Sequence, residues 1–237
     1  MKVLVTGANG QLGMSLKDCA VDHPSLEMMF TDLPELDITD YYSVEKTVIK
    51  EKPDVIINCA SYNAVDKAED EPMTALLVNG KSVQGMAGIA KKYNISLIHI
   101  STDFIFDGKK KSAYSETDEP HPQSKYAHSK FIGEQAVNTA NPNAAIIRTS
   151  WLYSEYAHNF VKTILKLAEE KDELRVVNDQ FGCPTYAKDL ACVIFKMIPE
   201  IKNFGGVRTY HYSNEGLTNW SFFAETIVDT AKLECKI

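Results

Sequence analysis

The chain has 237 residues, of which 44% are hydrophobic, enough to bury the core of one large domain with a small appendage. Its net charge of -7 excludes a global positive field that would attract nucleic acid or an acidic membrane surface. Five widely spaced cysteines without a C-x-x-C pair, and no apolar run of membrane-spanning length, predict a cytoplasmic protein with reduced thiols and no metal site.

Short β-branched segments alternate along the chain with longer segments of helical periodicity. This alternation is typical of βαβ units and predicts an α/β fold with a Rossmann-like, doubly wound parallel sheet. The predicted strands span residues 2–6, 54–58, 96–101 and 144–149, and the predicted helices span residues 12–21, 44–51, 73–93, 124–139, 159–171, 187–198 and 220–233.

The pattern becomes less regular after residue 150, where polar turns are predicted at residues 179–184 and 203–208. We therefore divide the chain into a dinucleotide-binding domain at residues 1–150 and a mixed segment at residues 151–237. We expect the second segment to complete part of the sheet and to form a smaller C-terminal substrate-binding lobe.

Three glycines follow the first predicted strand and open the first predicted helix. Gly7, Gly10 and Gly13 are spaced so that the backbone can turn sharply and approach a pyrophosphate without Cβ atoms in the way. Amides at the N-terminus of the helix would then face the phosphates. Glycines also occur in ordinary turns, but this position between strand and helix favours a dinucleotide site.

An acidic residue, Asp32, follows a second apolar run at residues 28–31, where a carboxylate can accept hydrogen bonds from the adenosine ribose. That placement favours NAD over NADP, and the alternative is an aspartate that only stabilises a turn. Asp37 and Ile38 are candidates for the adenine pocket. Residues 58–62 end the next strand, at the edge where such sheets bind ligands.

Tyr126 and Lys130 are four residues apart in a predicted helix, so they share one face about one turn apart. A nearby ammonium would stabilise the phenolate and lower the pKa of Tyr126, which suits proton exchange with a carbonyl. Thr102 ends a strand at the ligand-facing edge and can hydrogen-bond the reacting oxygen. His128 lies between the pair in sequence but projects away from their face, so we interpret it as an exposed or packing residue.

At these residues the sequence resembles the extended short-chain dehydrogenase/reductases, and within them the family of dTDP-4-dehydrorhamnose reductases. The resemblance covers almost the whole chain. Its motifs are Gly7-Ala-Asn-Gly-Gln-Leu-Gly13, Leu36-Asp-Ile-Thr39, Ala64-Val-Asp-Lys-Ala-Glu69, Ser101-Thr-Asp-Phe-Ile-Phe-Asp-Gly108, Arg148-Thr-Ser-Trp-Leu-Tyr153 and Asn178-Asp-Gln-Phe-Gly-Cys-Pro-Thr185.

The resemblance implies reduction of the C4 ketone of dTDP-4-dehydro-L-rhamnose with NADH or NADPH. It implies that Thr102, Tyr126 and Lys130 are catalytic, and that Thr102, Asp103 and Trp151 hold the dTDP-sugar. It also implies a possible homodimer with Mg²⁺ at its interface, as in some members. The implied cofactor-binding residues are Gly7, Gly10, Gln11, Leu12, Gly13, Asp32, Asp37, Ile38, Ala60, Ser61, Tyr62, Tyr126 and Lys130.

The sequence departs from the family pattern at several positions that remove no catalytic atom. Ala127 and His128 follow the tyrosine in place of the usual glycine and polar residue, Phe104 stands for a common tyrosine, and Ser61 and Asn63 alter the segment before residue 64. Family members also continue for several tens of residues after the position where this sequence stops. We therefore expect a truncated substrate lobe and weaker binding of the sugar nucleotide than of the dinucleotide.

Two other functions are compatible with parts of the pattern. Nucleotide-sugar epimerases and dehydratases share the glycine loop and the Tyr/Lys pair, but a 4,6-dehydratase is expected to carry an acidic pair after the threonine. Here Asp103 is followed by Phe104. A non-catalytic regulatory subunit, as in the branch that modulates methionine adenosyltransferase, would keep the fold, and retention of the whole Thr/Tyr/Lys set argues against it.

Overall fold

The computed structural model describes residues 1–237 and contains ten strands and nine α-helices. The strands are β1 (Lys2–Thr6), β2 (Glu27–Thr31), β3 (Val55–Asn58), β4 (Ser96–Thr102), β5 (Ala144–Thr149), β6 (Leu152–Tyr153), β7 (Phe181–Gly182), β8 (Thr185–Tyr186), β9 (Val207–Tyr212) and β10 (Thr218–Asn219). The helices are α1 (Gln11–Cys19), α2 (Tyr41–Glu51), α3 (Lys67–Asp70), α4 (Pro72–Leu76), α5 (Ser82–Lys92), α6 (Lys125–Ala140), α7 (Phe160–Glu170), α8 (Ala187–Met197) and α9 (Trp220–Ala231).

Six of the strands form the predicted parallel sheet, in the order β2-β1-β3-β4-β5-β9. The chain passes from β1 to β2 on one side and then returns to β3 on the other side of β1. This change of direction opens a crevice at the carboxyl ends of β1 and β3, where doubly wound sheets bind ligands. Thr6 and Asn58 end these two strands, and the Thr6 hydroxyl donates to Asn58 Oδ1 at 2.8 Å.

Different helices cover the two faces of the sheet. Successive side chains of a strand point to opposite faces, so neighbouring residues of one strand pack against different helices. Val3 and Val5 of β1 lie in a core cluster with α1 and α8, whereas Leu4 lies in a second cluster with α2, α5 and α6. A smaller third cluster joins α7 to α9. None of the helices has the length and apolarity that crossing a lipid bilayer requires.

The structure differs from the prediction in three elements. β2 was recognised only as an apolar run, and β9 begins inside the turn predicted at residues 203–208. β9 is a half-buried edge strand with polar side chains among apolar ones, so its pattern resembles a loop. The single helix predicted at 73–93 is interrupted by a wide π turn, Leu77–Lys81.

The segment after residue 150 therefore contributes to two parts of the molecule. β9 completes the main sheet and α8 packs on α1, whereas α7, α9 and two short ribbons form a separate layer. The ribbons pair β6 with β8 and β7 with β10. The division of the chain at residue 150 stays a prediction.

Candidate active site

The glycine loop leaves no room for a side chain at two of its three predicted positions. Gly7 has φ 68°, and a Cβ built on it would lie 2.5 Å from the backbone nitrogen of Ala60. A Cβ on Gly13 would lie 2.4 Å from the carbonyl oxygen of Gly7. The first turn of α1 has no side-chain cap and no acidic residue, so its amides are available to an anion. This cradle fits the pyrophosphate of a dinucleotide.

Two residues of this loop, Gln11 and Leu12, direct their side chains away from the predicted cofactor site. Gln11 Nε2 donates to the Leu152 carbonyl at 3.2 Å, and its Oε1 accepts from the Ser154 hydroxyl at 3.1 Å. The Leu12 side chain is buried in the core between α1 and α8. Only the backbone of these residues is therefore available to a phosphate, while Gln11 ties the loop to the segment that follows β5.

Asp32 lies beside the glycine loop, directly after β2. One carboxylate oxygen accepts the Asn9 amide at 2.8 Å and the other accepts the Leu33 amide at 2.8 Å. The bond to Leu33 is what a turn aspartate makes, but the bond to Asn9 orients the carboxylate next to the loop. Nearby, the Asp37 carboxylate is exposed and bonds Thr39, whereas Ile38 is buried in the core.

A buried asparagine, which the sequence analysis missed, holds the edge loop of residues 60–62. Asn79 Oδ1 accepts the Ser61 hydroxyl at 2.9 Å and the Tyr62 amide at 2.8 Å. Its Nδ2 donates to the Tyr62 carbonyl and to the Ser129 hydroxyl, each at 3.0 Å. Asn79 lies in the π turn, a feature frequent at functional sites, but nothing in its sequence context distinguished it from an ordinary helical residue.

Thr102 and Tyr126 lie together where the carboxyl end of β4 meets the first turn of α6. The Thr102 hydroxyl caps a short turn by accepting the Phe104 amide at 3.2 Å, and the Ser124 hydroxyl caps α6. Burial raises the pKa of the Tyr126 phenol to about 12, against the opposing effect of the Thr102 hydroxyl. Burial also raises the pKa of the half-buried Asp103 to about 6. The phenol therefore holds its proton firmly at neutral pH.

Lys130 lies one turn further along α6 and is only 3% exposed. Its Nζ donates to the Ile100 carbonyl at 2.6 Å, and burial lowers its pKa to about 8. The expectation that its ammonium lowers the pKa of Tyr126 is wrong for this arrangement, because burial of the phenol dominates and raises that pKa. His128, by contrast, is exposed as predicted.

A buried ion pair fixes the helix that carries Tyr126 and Lys130. Arg148 of β5 donates from Nε and Nη2 to the carboxylate of Glu134, with the shortest contact at 2.7 Å. Both side chains are nearly inaccessible to solvent. Paired hydrogen bonds of this kind are geometrically specific, so α6 is held in one register against the sheet.

The lowered pKa of Lys130 predicts an unusual stability profile. An unfolded lysine keeps its proton up to about pH 10.5, whereas the buried one releases it near pH 8. Between these values the unfolded state binds more protons, so the free energy of unfolding should rise with pH. Lys130→Met removes this dependence and should stabilise the protein at pH 7 by up to roughly 3 kcal/mol.

Urea unfolding at pH 7 and at about pH 9.5, without added dinucleotide, measures this effect. Lys125→Met, which changes an exposed lysine of the same helix, is the matched control and should keep the wild-type slope. An equal rise of stability with pH in Lys130→Met and the wild type would contradict the assignment.

Trp151, the predicted substrate-side aromatic, follows β5 at the same edge of the sheet. Its ring is stacked on Trp220 with ring centroids 3.6 Å apart, so one ring face is already covered within the protein. No group of three or more His, Cys, Asp or Glu side chains is arranged to hold a metal ion. Most of the predicted site positions thus lie along one edge, from the glycine loop beside β1 to Trp151 after β5. The side chains of Leu12 and Ile38 are buried in the core instead.

Comparison with known proteins gives a consistent assignment. The family model described as "RmlD substrate binding domain" matches residues 1–236. The dTDP-4-dehydrorhamnose reductase of Aggregatibacter actinomycetemcomitans is 44% identical over 97% of this chain and 79% of its own length.

Two solved structures of dTDP-4-dehydrorhamnose reductases are similar to this chain. The crystal structure of a dTDP-4-dehydrorhamnose reductase from Clostridium acetobutylicum is 41% identical, with a TM-score of 0.94 over 100% of this chain and 82% of its own. The enzyme of Bacillus anthracis, solved in complex with NADP, is 38% identical, with a TM-score of 0.94 over 99% of this chain and 83% of its own. The chain belongs to the RmlD family, that of the dTDP-4-dehydrorhamnose reductases.

Proposed function

We propose that this protein catalyses the NAD(P)H-dependent reduction of the C4 ketone of dTDP-4-dehydro-L-rhamnose to dTDP-L-rhamnose. One observation carries the proposal: Thr102 and Tyr126 lie together beside the buried Lys130, on the sheet edge that also carries the glycine cradle. The 44% identical relative that bears the reductase name supports the substrate. The NADP complex of the Bacillus anthracis enzyme supports the cofactor.

The cofactor would be held by backbone on one side and by side chains on the other. Gly7, Gly10 and Gly13 leave room for the pyrophosphate, and Asp32 is oriented to accept ribose hydroxyls. The loop that Asn79 holds would flank the adenosine half. When bound, the dihydronicotinamide supplies the hydride, and the residues of this chain orient the substrate and supply the proton.

The raised pKa of Tyr126 keeps its phenol in the protonated form that the reducing direction requires. A phenol that keeps its proton at neutral pH can donate it from Oη to the ketone oxygen as negative charge develops there. Thr102 Oγ1 would hold the same oxygen by a second hydrogen bond. Lys130, with a pKa of about 8, is mostly charged at neutral pH and would stabilise the phenolate left behind once its ammonium turns from Ile100.

The layer built from α7, α9 and the ribbons would serve as the substrate lobe, with Asp103 and Trp151 facing the dTDP-sugar. A homodimer, a magnesium ion at its interface and a cytoplasmic location stay predictions of the sequence and its resemblance.

A turnover assay separates the proposed function from its two alternatives. A reductase oxidises NADH or NADPH in equal amount to the dTDP-L-rhamnose formed from dTDP-4-dehydro-L-rhamnose. An epimerase or dehydratase would convert a dTDP-sugar without net oxidation of the dinucleotide. A regulatory subunit would bind the dinucleotide with no turnover of any sugar nucleotide, and either result would refute the proposal.

Asp32 is expected to set the preference between the two dinucleotides. Its carboxylate accepts ribose hydroxyls but repels a 2′-phosphate, so Asp32→Ala should shift the ratio of kcat/KM for NADH over NADPH about tenfold toward NADPH, or about 1.4 kcal/mol. Glu35→Ala removes the same charge from an exposed position of the same loop and serves as the control. If both variants keep the wild-type ratio, Asp32 is not the ribose ligand.

A further inference from the structure

Trp151 adopts a backbone conformation that is costly for a bulky residue. Its φ is 45°, in the left-handed region that favours glycine. Such strain persists only where the surrounding structure enforces it, and it clusters at functional sites. Contacts with Trp220, Gly182 and the chain that follows Gly182 surround Trp151.

Both faces of the Trp151 indole are covered. Trp220 lies on one face with an interplanar angle of 12°. A Cβ built on Gly182 would lie 2.6 Å from Trp151 Cε2, 2.8 Å from Cζ2 and 2.9 Å from Nε1. A point nearer to Cε2 than to Nε1 and Cζ2, the two atoms beside it on the ring perimeter, lies above the ring plane, not at its rim. Since Trp220 occupies the first face, Gly182 covers the second.

The slot that holds the indole is built by the β7–β10 ribbon and its flanks. Gly182 pairs with Thr218 in this ribbon, and Trp220 follows β10 directly as the first residue of α9. Phe160 of α7 backs Trp220, with ring centroids 4.4 Å apart. One wall therefore lies in the ribbon and the other follows it directly, so the ribbon holds the two walls at a fixed separation.

Hydrogen bonds fasten the backbone on each side of Trp151 to the chain that follows Gly182. The Ser150 hydroxyl donates to the Cys183 carbonyl at 2.6 Å, and the Thr185 amide donates to the Trp151 carbonyl at 3.2 Å. The ring is half-buried, so part of its rim is accessible while its faces are not. A substrate can then meet the rim of this indole, but cannot stack on it.

We propose that Trp220 and Gly182 are positioning residues for the sugar nucleotide: they fix the plane of Trp151, so that the dTDP-sugar meets the indole rim in one orientation. This inference rests on the proposed function. Neither residue needs to touch the substrate. Trp220 supplies an aromatic wall, and Gly182 supplies the space that any side chain would fill.

Kinetics test the positioning role. Trp220→Leu and Gly182→Ala should each raise KM for dTDP-4-dehydro-L-rhamnose about 10- to 100-fold, because the rim of Trp151 is displaced, and should leave Kd for NADPH unchanged. Trp220→Phe keeps a flat aromatic ring beside Trp151, so its KM for dTDP-4-dehydro-L-rhamnose should be much closer to the wild-type value than that of Trp220→Leu. The matched controls are Phe222→Leu, at an exposed site of the same helix, and Gly88→Ala, where a Cβ meets nothing within 4 Å.

Wild-type KM in Trp220→Leu and Gly182→Ala would overturn the proposal. An equal loss of NADPH affinity would also overturn it, because that pattern indicates a general structural role. If the wild type fails to turn over the ketone, the proposed function fails. In that case the Kd for dTDP-L-rhamnose, measured by titration of the same variants, tests the positioning role separately. A Kd that rises in Trp220→Leu and Gly182→Ala supports the role, and a wild-type Kd contradicts it.

Circular dichroism tests the slot without any substrate. Trp151 and Trp220 are the only two tryptophans of the chain, and two stacked indoles couple their transitions. Each single variant, Trp151→Phe or Trp220→Phe, shows the contribution of the one tryptophan that it keeps. The wild-type spectrum should differ from the sum of these two contributions, and this difference is the coupled signal. Gly182→Ala should weaken the coupled signal. If the wild-type spectrum equals the sum of the two tryptophan contributions, the proposed geometry is wrong. A coupled signal that is unchanged in Gly182→Ala would also overturn it.

Discussion

Replacing Tyr126 by phenylalanine is expected to lower kcat by about 10²- to 10⁴-fold while NADPH still binds. The substitution deletes only the phenol oxygen, and the ring keeps its place because Tyr126 is packed with Ala68 and Ala75. With a pKa of about 12, the phenol is protonated throughout the neutral range. Its loss therefore removes a proton donor that is in its acid form at every pH of that range. Stopped-flow or steady-state oxidation of NADPH, with a separate binding titration, measures both quantities.

Tyr42→Phe is the matched control for this variant, because Tyr42 is 80% exposed on α2. It should retain wild-type kcat and wild-type NADPH affinity. Near-wild-type turnover in Tyr126→Phe would show that another group donates the proton. Loss of NADPH binding together with turnover would instead mean that the deleted hydroxyl supports the cofactor pocket.

A methyl group on Gly7 is expected to abolish most of the dinucleotide affinity. Its backbone has φ 68°, where a side chain costs roughly 1–2 kcal/mol, and the added Cβ would lie 2.5 Å from the Ala60 nitrogen. That neighbour is backbone and cannot rotate away, so the loop after β3 must move. We expect Gly7→Ala to weaken NADPH binding by about 100-fold or more and to destabilise the fold by about 1–3 kcal/mol.

Gly88→Ala supplies the matched control, since it adds the same methyl group where nothing lies within 4 Å. Fluorescence titration with NADPH and urea unfolding are the measurements for both variants. Wild-type affinity in Gly7→Ala would mean that the loop after β3 does not contact the dinucleotide, and the proposed cradle would have to be abandoned.

Local patterns in the sequence predicted most of the elements and the reductase family. The glycine spacing after β1 predicted a turn without side chains, and part of that requirement is local, because a Cβ on Gly13 would meet the carbonyl oxygen of Gly7. The close approach of Ala60 to Gly7 comes from the tertiary fold. The four-residue spacing of Tyr126 and Lys130 placed both on one face of α6, because helical periodicity decides which residues share a face. The structure shows that this face is buried. The family motifs predicted the reductase family that the comparisons show.

Contacts between distant parts of the chain decided the rest. Asn79 looked like an ordinary helical residue, and only the fold brings it to the loop of residues 60–62 and to Ser129. The sequence suggested that Lys130 lowers the pKa of Tyr126, whereas burial raises it, since desolvation depends on what packs around a group and not on its spacing.

Trp151 was recognised from the sequence, whereas the residues around it were known only from the structure. The motif at residues 148–153 marked it as a substrate-side aromatic. Its two walls, Gly182 and Trp220, lie 31 and 69 residues further along the chain, and no local pattern connects them to it. Only the pairing of β7 with β10 brings them to its faces, because side-chain orientation is fixed by tertiary packing.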